Sequence, residues 1–237
     1  MERNFLKAVE KADNKFFDTI EKEKINFLQN RFQEQGFVLI KNFLSEEVVE
    51  LANESFEIHY AKAEYIEKYF ENTIPISLTK RNLPAPLYGK FGKIDKRMGF
   101  ANRDLHSYAY SVGEALLKKK KDFIEKISQQ ELDYTNSFCR KYTEGSSLGK
   151  HKDRPALQVS ATICLGGEKW EIFIKDKSDN THSITMSAGD AIVYSGTELE
   201  HWREKLDKGY VNMCFIHYCK KGSEYKLDGR EFIGQPK

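Results

Sequence analysis

The sequence predicts an α+β fold in which a helical N-terminal region precedes a β-rich core. Up to about residue 134, apolar residues recur at helical intervals, whereas beyond it short apolar runs alternate with turn signals. The 237 residues, 40% of them apolar, are enough to bury a real core, which excludes wholesale disorder. That length fits one large domain or two small ones, and one is expected here: a mainly helical region over 1–134 and a core over 135–220.

The elements follow in chain order. Phe5, Val9, Phe16, Phe17, Ile20, Phe27, Leu28 and Phe32 keep a roughly helical interval, and Gly36 supplies a C-terminal stop. Residues 37–40, Phe-Val-Leu-Ile, read as a strand. Ser45 is a candidate N-cap, with Glu46 and Glu47 where the helix dipole favours acids, and a helix to about Phe70 is expected. The stretch 74–100 holds Pro75, Pro84, Pro86, Gly89 and Gly92 among Lys80, Arg81, Lys90, Lys93, Lys96 and Arg97. Such composition belongs to a loop and makes a candidate lid. A helix is expected over 102–128, with lysines 118–121 as a solvated face and His59 and His106 on polar helix faces. Strands are expected over 137–142, 158–165, 170–175, 183–186, 191–194 and 211–219, a spacing that suits a sandwich or barrel.

Charge and cysteines narrow the class. Lys and Arg number 38 against 36 Asp and Glu, a net +2, which argues against a dedicated nucleic-acid binder but leaves a local basic groove open. Cys139, Cys164, Cys214 and Cys219 form no CxxC pair and read as reduced thiols. The charged N-terminus lacks the apolar stretch of a secretory signal, and no apolar run reaches membrane-spanning length, so a cytoplasmic address is expected.

The candidate chemistry centres on His151, Asp153 and His201. His151 and Asp153 are two apart, so extended backbone turns both side chains the same way and Lys152 away. His201 lies 48 residues beyond Asp153. Two imidazoles and a carboxylate can form the facial triad that suits non-haem Fe(II), with open positions left for a chelating co-substrate and O2. By itself the triplet is a weak signal and reads more readily as a loop ion pair with a distant surface histidine. His217, in the apolar run around Phe215, reads as a satisfied core histidine, and His182 lies in a turn. Trp170 and Trp202 read as packing residues.

The surroundings of the triplet resemble the Fe(II)- and 2-oxoglutarate-dependent dioxygenases of the prolyl-hydroxylase-like and phytanoyl-hydroxylase-like branches. The matching pieces are Gly36 to Ser45, Arg140-Lys141-Tyr142 with Gly145 ahead of His151-Lys152-Asp153, Gly166-Gly167-Glu168, and Gly189-Asp190-Ala191 before His201. The resemblance covers about 36–219. It implies a double-stranded β-helix (jelly-roll) core flanked by N-terminal helices, with His151, Asp153 and His201 on iron. It also implies hydroxylation or desaturation of a substrate with O2, as 2-oxoglutarate becomes succinate and CO2. An intact Asp153 argues against the halogenating branch.

One departure matters. The family's cation for the remote 2-oxoglutarate carboxylate lies roughly nine to eleven residues after the distal histidine, where this chain has Tyr210, Val211 and Asn212. Arg203 is the first substitute, because it shares the His201 face if the strand continues, with Arg140 and Arg154 as alternatives. Tyr142, Ser160, Thr162 and Tyr194 are candidate hydroxyl partners for the co-substrate. A small-molecule or peptidyl substrate is expected, anionic if the basic 80–97 segment closes over the site. The competing classes are a non-catalytic jelly-roll metal-binding or sensor protein, favoured by the missing cation, and a nucleic-acid-modifying oxygenase.

Overall fold

The computed structural model describes residues 22–70, 105–108 and 110–226, and the candidate lid at 74–100 lies outside them. Helix α1 spans Lys22–Gln35. Gly36 ends it with a φ of 82°, a left-handed conformation that a side chain disfavours, and its N–H donates to the Phe32 carbonyl. Strand β1 follows over Phe37–Ile40, then helix α2 over Glu46–Phe70 with both acids in its first turn, as expected. Val48, Ala52, Phe56 and Tyr60, at helical spacing, are its buried stripe.

The helix expected over 102–128 begins later. Strand β2 occupies Leu105–Tyr108, and helix α3 covers Ser111–Ser128. The four residues of β2 pair with the edge of a distant strand, Leu105 opposite Lys141, and local periodicity cannot register a partner so far along the chain. His106 is therefore a strand residue. His59 is buried on α2 and stacks on the Tyr110 ring at 4.5 Å rather than facing water. The lysine run is also only partly solvated. Lys118 is exposed and Lys121 pairs with Glu125, but Lys120 is buried with its ammonium 4.7 Å from the Phe43 ring centroid.

Eight further strands follow: β3 Leu132–Thr143, β4 Leu148–His151, β5 Val159–Gly167, β6 Glu171–Lys175, β7 Thr181–Thr185, β8 Ala191–Ser195, β9 His201–Arg203 and β10 Tyr210–Lys220. All pairings are antiparallel, in a six-stranded sheet ordered β1-β8-β5-β10-β3-β2 and a four-stranded sheet ordered β4-β9-β6-β7. The two face each other as a double-stranded β-helix.

Strand alternation sorts the side chains into two cores. On β5, Ala161, Ile163 and Leu165 pack toward the helices with Phe43, Phe56, Leu116 and Phe123. Cys164, on the other face, joins Tyr142, Ile172, Ile174, Tyr194 and Met213 between the sheets. Each Leu, Ile, Phe or Met among them contributes about 1.5–3 kcal/mol when fully buried. All four cysteines are buried free thiols. Among the described residues no helix is long and apolar enough to cross a membrane.

Candidate metal centre

Strands β4 and β9 place the two histidines. They are direct cross-strand partners, His151 opposite His201, with ring centroids 4.3 Å apart. Asp153 follows in the loop after β4, where its backbone N–H donates to the Gly196 carbonyl at 2.8 Å. Oδ1 of Asp153 then lies 3.7 Å from Nε2 of each histidine. One donor atom from each of the three residues lies within 4.8 Å of the other two, a group able to hold a metal ion.

Backbone carbonyls set the histidine tautomers. Nδ1 of His151 lies 2.8 Å from the Gly149 carbonyl, and Nδ1 of His201 lies 3.0 Å from that of Leu199. A carbonyl can only accept, so each Nδ1 carries the proton and each Nε2 presents a lone pair to the centre. Burial holds the His201 pKa below the ordinary histidine value, against the opposing pull of Asp153. Its imidazole is therefore neutral at neutral pH, as a metal ligand must be.

The triad opens on a cavity of about 290 Å³ between the sheets. Arg140, Tyr142, Thr162, Tyr194 and Arg203 all line it beside His151, Asp153 and His201. Arg203 is 2% exposed; its Nη1 donates to the Trp170 carbonyl at 2.9 Å, and its guanidinium carbon lies 4.7 Å from the Trp170 ring centroid. Burial lowers its pKa from the ordinary arginine value. Arg140 is wholly buried on β3, with its guanidinium carbon 3.8 Å from the Tyr142 ring centroid. Tyr194 packs edge-on against His201, and burial raises its phenol pKa well above the ordinary value, so it remains a hydrogen-bond donor.

Two candidates sit differently. Arg154 borders the cavity but is exposed, because the loop after β4 carries it to the surface, so it is not the buried cation. Ser160 is not in the cavity wall: its hydroxyl donates to Oδ2 of Asp153 at 3.0 Å and lies 2.9 Å from Nδ1 of His217. At a position where the family resemblance implies a cation, Asn212 lies on the helix-facing side of β10 and donates to Asn53 at 2.9 Å and Glu57 at 2.6 Å. The neighbouring Val211 and Met213 face the inter-sheet core. The buried positive charge comes instead from β9 and β3.

Other wall residues are not among those that the sequence singles out as site candidates. Asn136, Phe138, Leu148, Leu157 and Phe215 border the cavity, and so does His217. Strand parity from Phe215 would have placed His217 on the same face. Gly196 had no signal at all, yet a Cβ there would stand 2.4 Å from Oδ2 of Asp153 and 2.3 Å from the Leu157 carbonyl.

No family model matches the sequence, and no curated protein does either. Solved structures do match. A prolyl-4-hydroxylase from Pseudomonas putida aligns with a TM-score of 0.57 at 13% identity, over 84% of this chain and 100% of its own. The α-ketoglutarate-dependent epimerase SnoN of nogalamycin biosynthesis aligns with a TM-score of 0.59 at 12% identity, over 91% of this chain and 90% of its own. EctD from S. alaskensis, solved with 2-oxoglutarate and 5-hydroxyectoine, gives 0.54 at 11%, over 85% and 76%. This chain has the fold of the Fe(II)/2-oxoglutarate oxygenases. In that fold, β4, the loop after it and β9 bring the three candidate ligands to the wall of the cavity that the two buried arginines also line.

Proposed function

We propose that this chain is an Fe(II)- and 2-oxoglutarate-dependent oxygenase. It hydroxylates an unactivated C–H bond of a small-molecule or peptidyl substrate and releases succinate and CO2. One observation carries the reading: the ligand set His151, Asp153 and His201 shares a cavity with the guanidinium of Arg203. Among the described residues Arg203 makes no ion pair with a carboxylate. A buried cation without an anion is costly. A dicarboxylate held at the metal by its keto-acid end brings the missing charge on its other end.

The donor set fits iron, because two imidazoles and one carboxylate oxygen leave coordination positions open. Iron and 2-oxoglutarate, once bound, supply the oxidative chemistry, in which O2 is consumed and one oxygen atom enters the C–H bond. The chain's own residues do the rest. His151, Asp153 and His201 hold the metal, and Arg203 pairs with the remote carboxylate. Tyr142, Thr162 and Tyr194 offer hydroxyls along the co-substrate, with Arg140 beside them. Phe138 and Phe215, with ring centroids 5.7 Å apart, form an apolar wall for the substrate.

An epimerase and a carbocyclase are among the fold's solved members, so the product class is decided by experiment. Purified protein with Fe(II), 2-oxoglutarate and O2 should form succinate slowly, and faster when a metabolite or peptide from a screen is the substrate. Succinate no higher than in Asp153→Ala, in protein shown to hold metal, would overturn the enzyme reading in favour of a non-catalytic metal-binding or sensor role.

A further inference from the structure

Ser160 is wholly buried on β5, and its hydroxyl joins two groups closely, with the Leu157 carbonyl a more distant third at 3.5 Å. It donates to Oδ2 of Asp153 at 3.0 Å and lies 2.9 Å from Nδ1 of His217. An ionised carboxylate only accepts, so the single hydroxyl proton is committed to Asp153 and the oxygen must accept from His217. That places the His217 proton on Nδ1. The ring is buried alongside Phe215, stacked at an interplanar angle of 4°, in surroundings that favour the neutral form. Nε2 then keeps its lone pair. His217 lines the cavity, and among the described residues its Nε2 makes no hydrogen bond.

At the other end of this chain the two oxygens of Asp153 are unlike. Oδ1 faces both histidine Nε2 atoms at 3.7 Å, while Oδ2 is taken by Ser160 and hemmed in by Gly196. We propose that Ser160 and His217 are positioning residues for the metal carboxylate, reserving Oδ2 and leaving Oδ1 to the metal, while bare Nε2 of His217 faces the cavity to accept an N–H or O–H of the substrate. This rests on the reading of His151, Asp153 and His201 as a metal triad.

A carboxylate that bound through both oxygens would occupy a position needed by a chelating co-substrate or by O2. The Ser160 bond guards that position. The substrate class narrows as well: a molecule with a hydroxyl, amide or amine near the carbon attacked, and an apolar part against Phe138 and Phe215.

Co(II) is the probe for the carboxylate end, because its visible bands report coordination number without turnover. Wild type should bind Co(II) with weak six-coordinate bands. Ser160→Ala and His217→Leu should weaken Co(II) binding about ten- to a hundredfold and alter the bands. His217→Asn, whose side-chain N–H can replace Nδ1–H, should restore them. If His217→Leu does not fold, Ser160→Ala, which removes one oxygen atom, decides alone. The cavity end is read by 15N NMR of the histidines in Zn(II)-loaded protein, where His217 should be the Nδ1–H tautomer. Wild-type affinity and bands in Ser160→Ala, or an Nε2–H tautomer at His217, would overturn the proposal. Failure of wild type itself to bind Co(II) or Zn(II) would instead overturn the triad reading beneath it.

Discussion

Gly196 lies against Asp153 so closely that a methyl group on its Cα would stand 2.4 Å from Oδ2. The same Cβ would meet the Leu157 carbonyl at 2.3 Å and the Ser160 hydroxyl at 2.9 Å, and the Gly196 carbonyl accepts the Asp153 N–H. A glycine that binds no ligand thus fixes the approach of the metal carboxylate from two sides.

Gly196→Ala is the first prediction. The methyl group cannot be accommodated without moving backbone, since one obstacle is a carbonyl, and overpacking of this kind costs about 1–3 kcal/mol. Asp153 moves with it. Metal titration followed by tryptophan fluorescence should show at least a tenfold loss of Co(II) affinity, together with a lower melting temperature. Unchanged affinity would mean that the loop carrying Asp153 is not braced here.

Arg203→Met separates binding from stability. The substitution removes a buried cation and one hydrogen bond to the Trp170 carbonyl while keeping an unbranched apolar stem in place. Stability should change by less than about 1 kcal/mol. Affinity for 2-oxoglutarate should fall by about a hundredfold, since its remote carboxylate is left unpaired in a buried site, while metal binding persists. Isothermal titration of the metal-loaded protein checks both. Unchanged 2-oxoglutarate affinity would move the assignment to Arg140.

The pH dependence of the metal-free protein follows from His217. Burial is the main cause of its low pKa, about 4 in the folded chain against an ordinary 6.5. The unfolded chain therefore takes up a proton below about pH 6.5 that the folded chain refuses. Stability from this group is complete above that pH and is lost as pH falls toward 4, a loss of roughly 3 kcal/mol. The lowered pKa of His201 acts in the same direction. Urea unfolding in chelator between pH 4 and 8 should show this slope, and His217→Asn should flatten it; an unchanged slope would assign it elsewhere.

Much of this arrangement was legible in the sequence for identifiable reasons. The stop at Gly36 and the run at Phe37–Ile40 are local signals, and the spacing of His151 and Asp153 depends only on extended backbone. Strands β4 and β9, of four and three residues, are too short to show a period, although they carry the two histidines. Strand β2 is specified by the β3 edge it joins, and the burial of Lys120, with its ammonium over the Phe43 ring, joins segments far apart in the chain. Gly196 and the tie between Ser160 and His217 depend on contacts between distant segments, and no sequence pattern encodes those.

The proposed function requires one cavity to hold a metal at His151, Asp153 and His201 and a dicarboxylate at Arg203. Anaerobic titration of 2-oxoglutarate into Fe(II)-loaded protein, followed by visible absorbance, tests it most directly. A weak charge-transfer band should appear that saturates at one equivalent, is absent in Asp153→Ala, and in Arg203→Met forms only at much higher 2-oxoglutarate. Wild-type protein that holds Fe(II) but develops no band at saturating 2-oxoglutarate would contradict it.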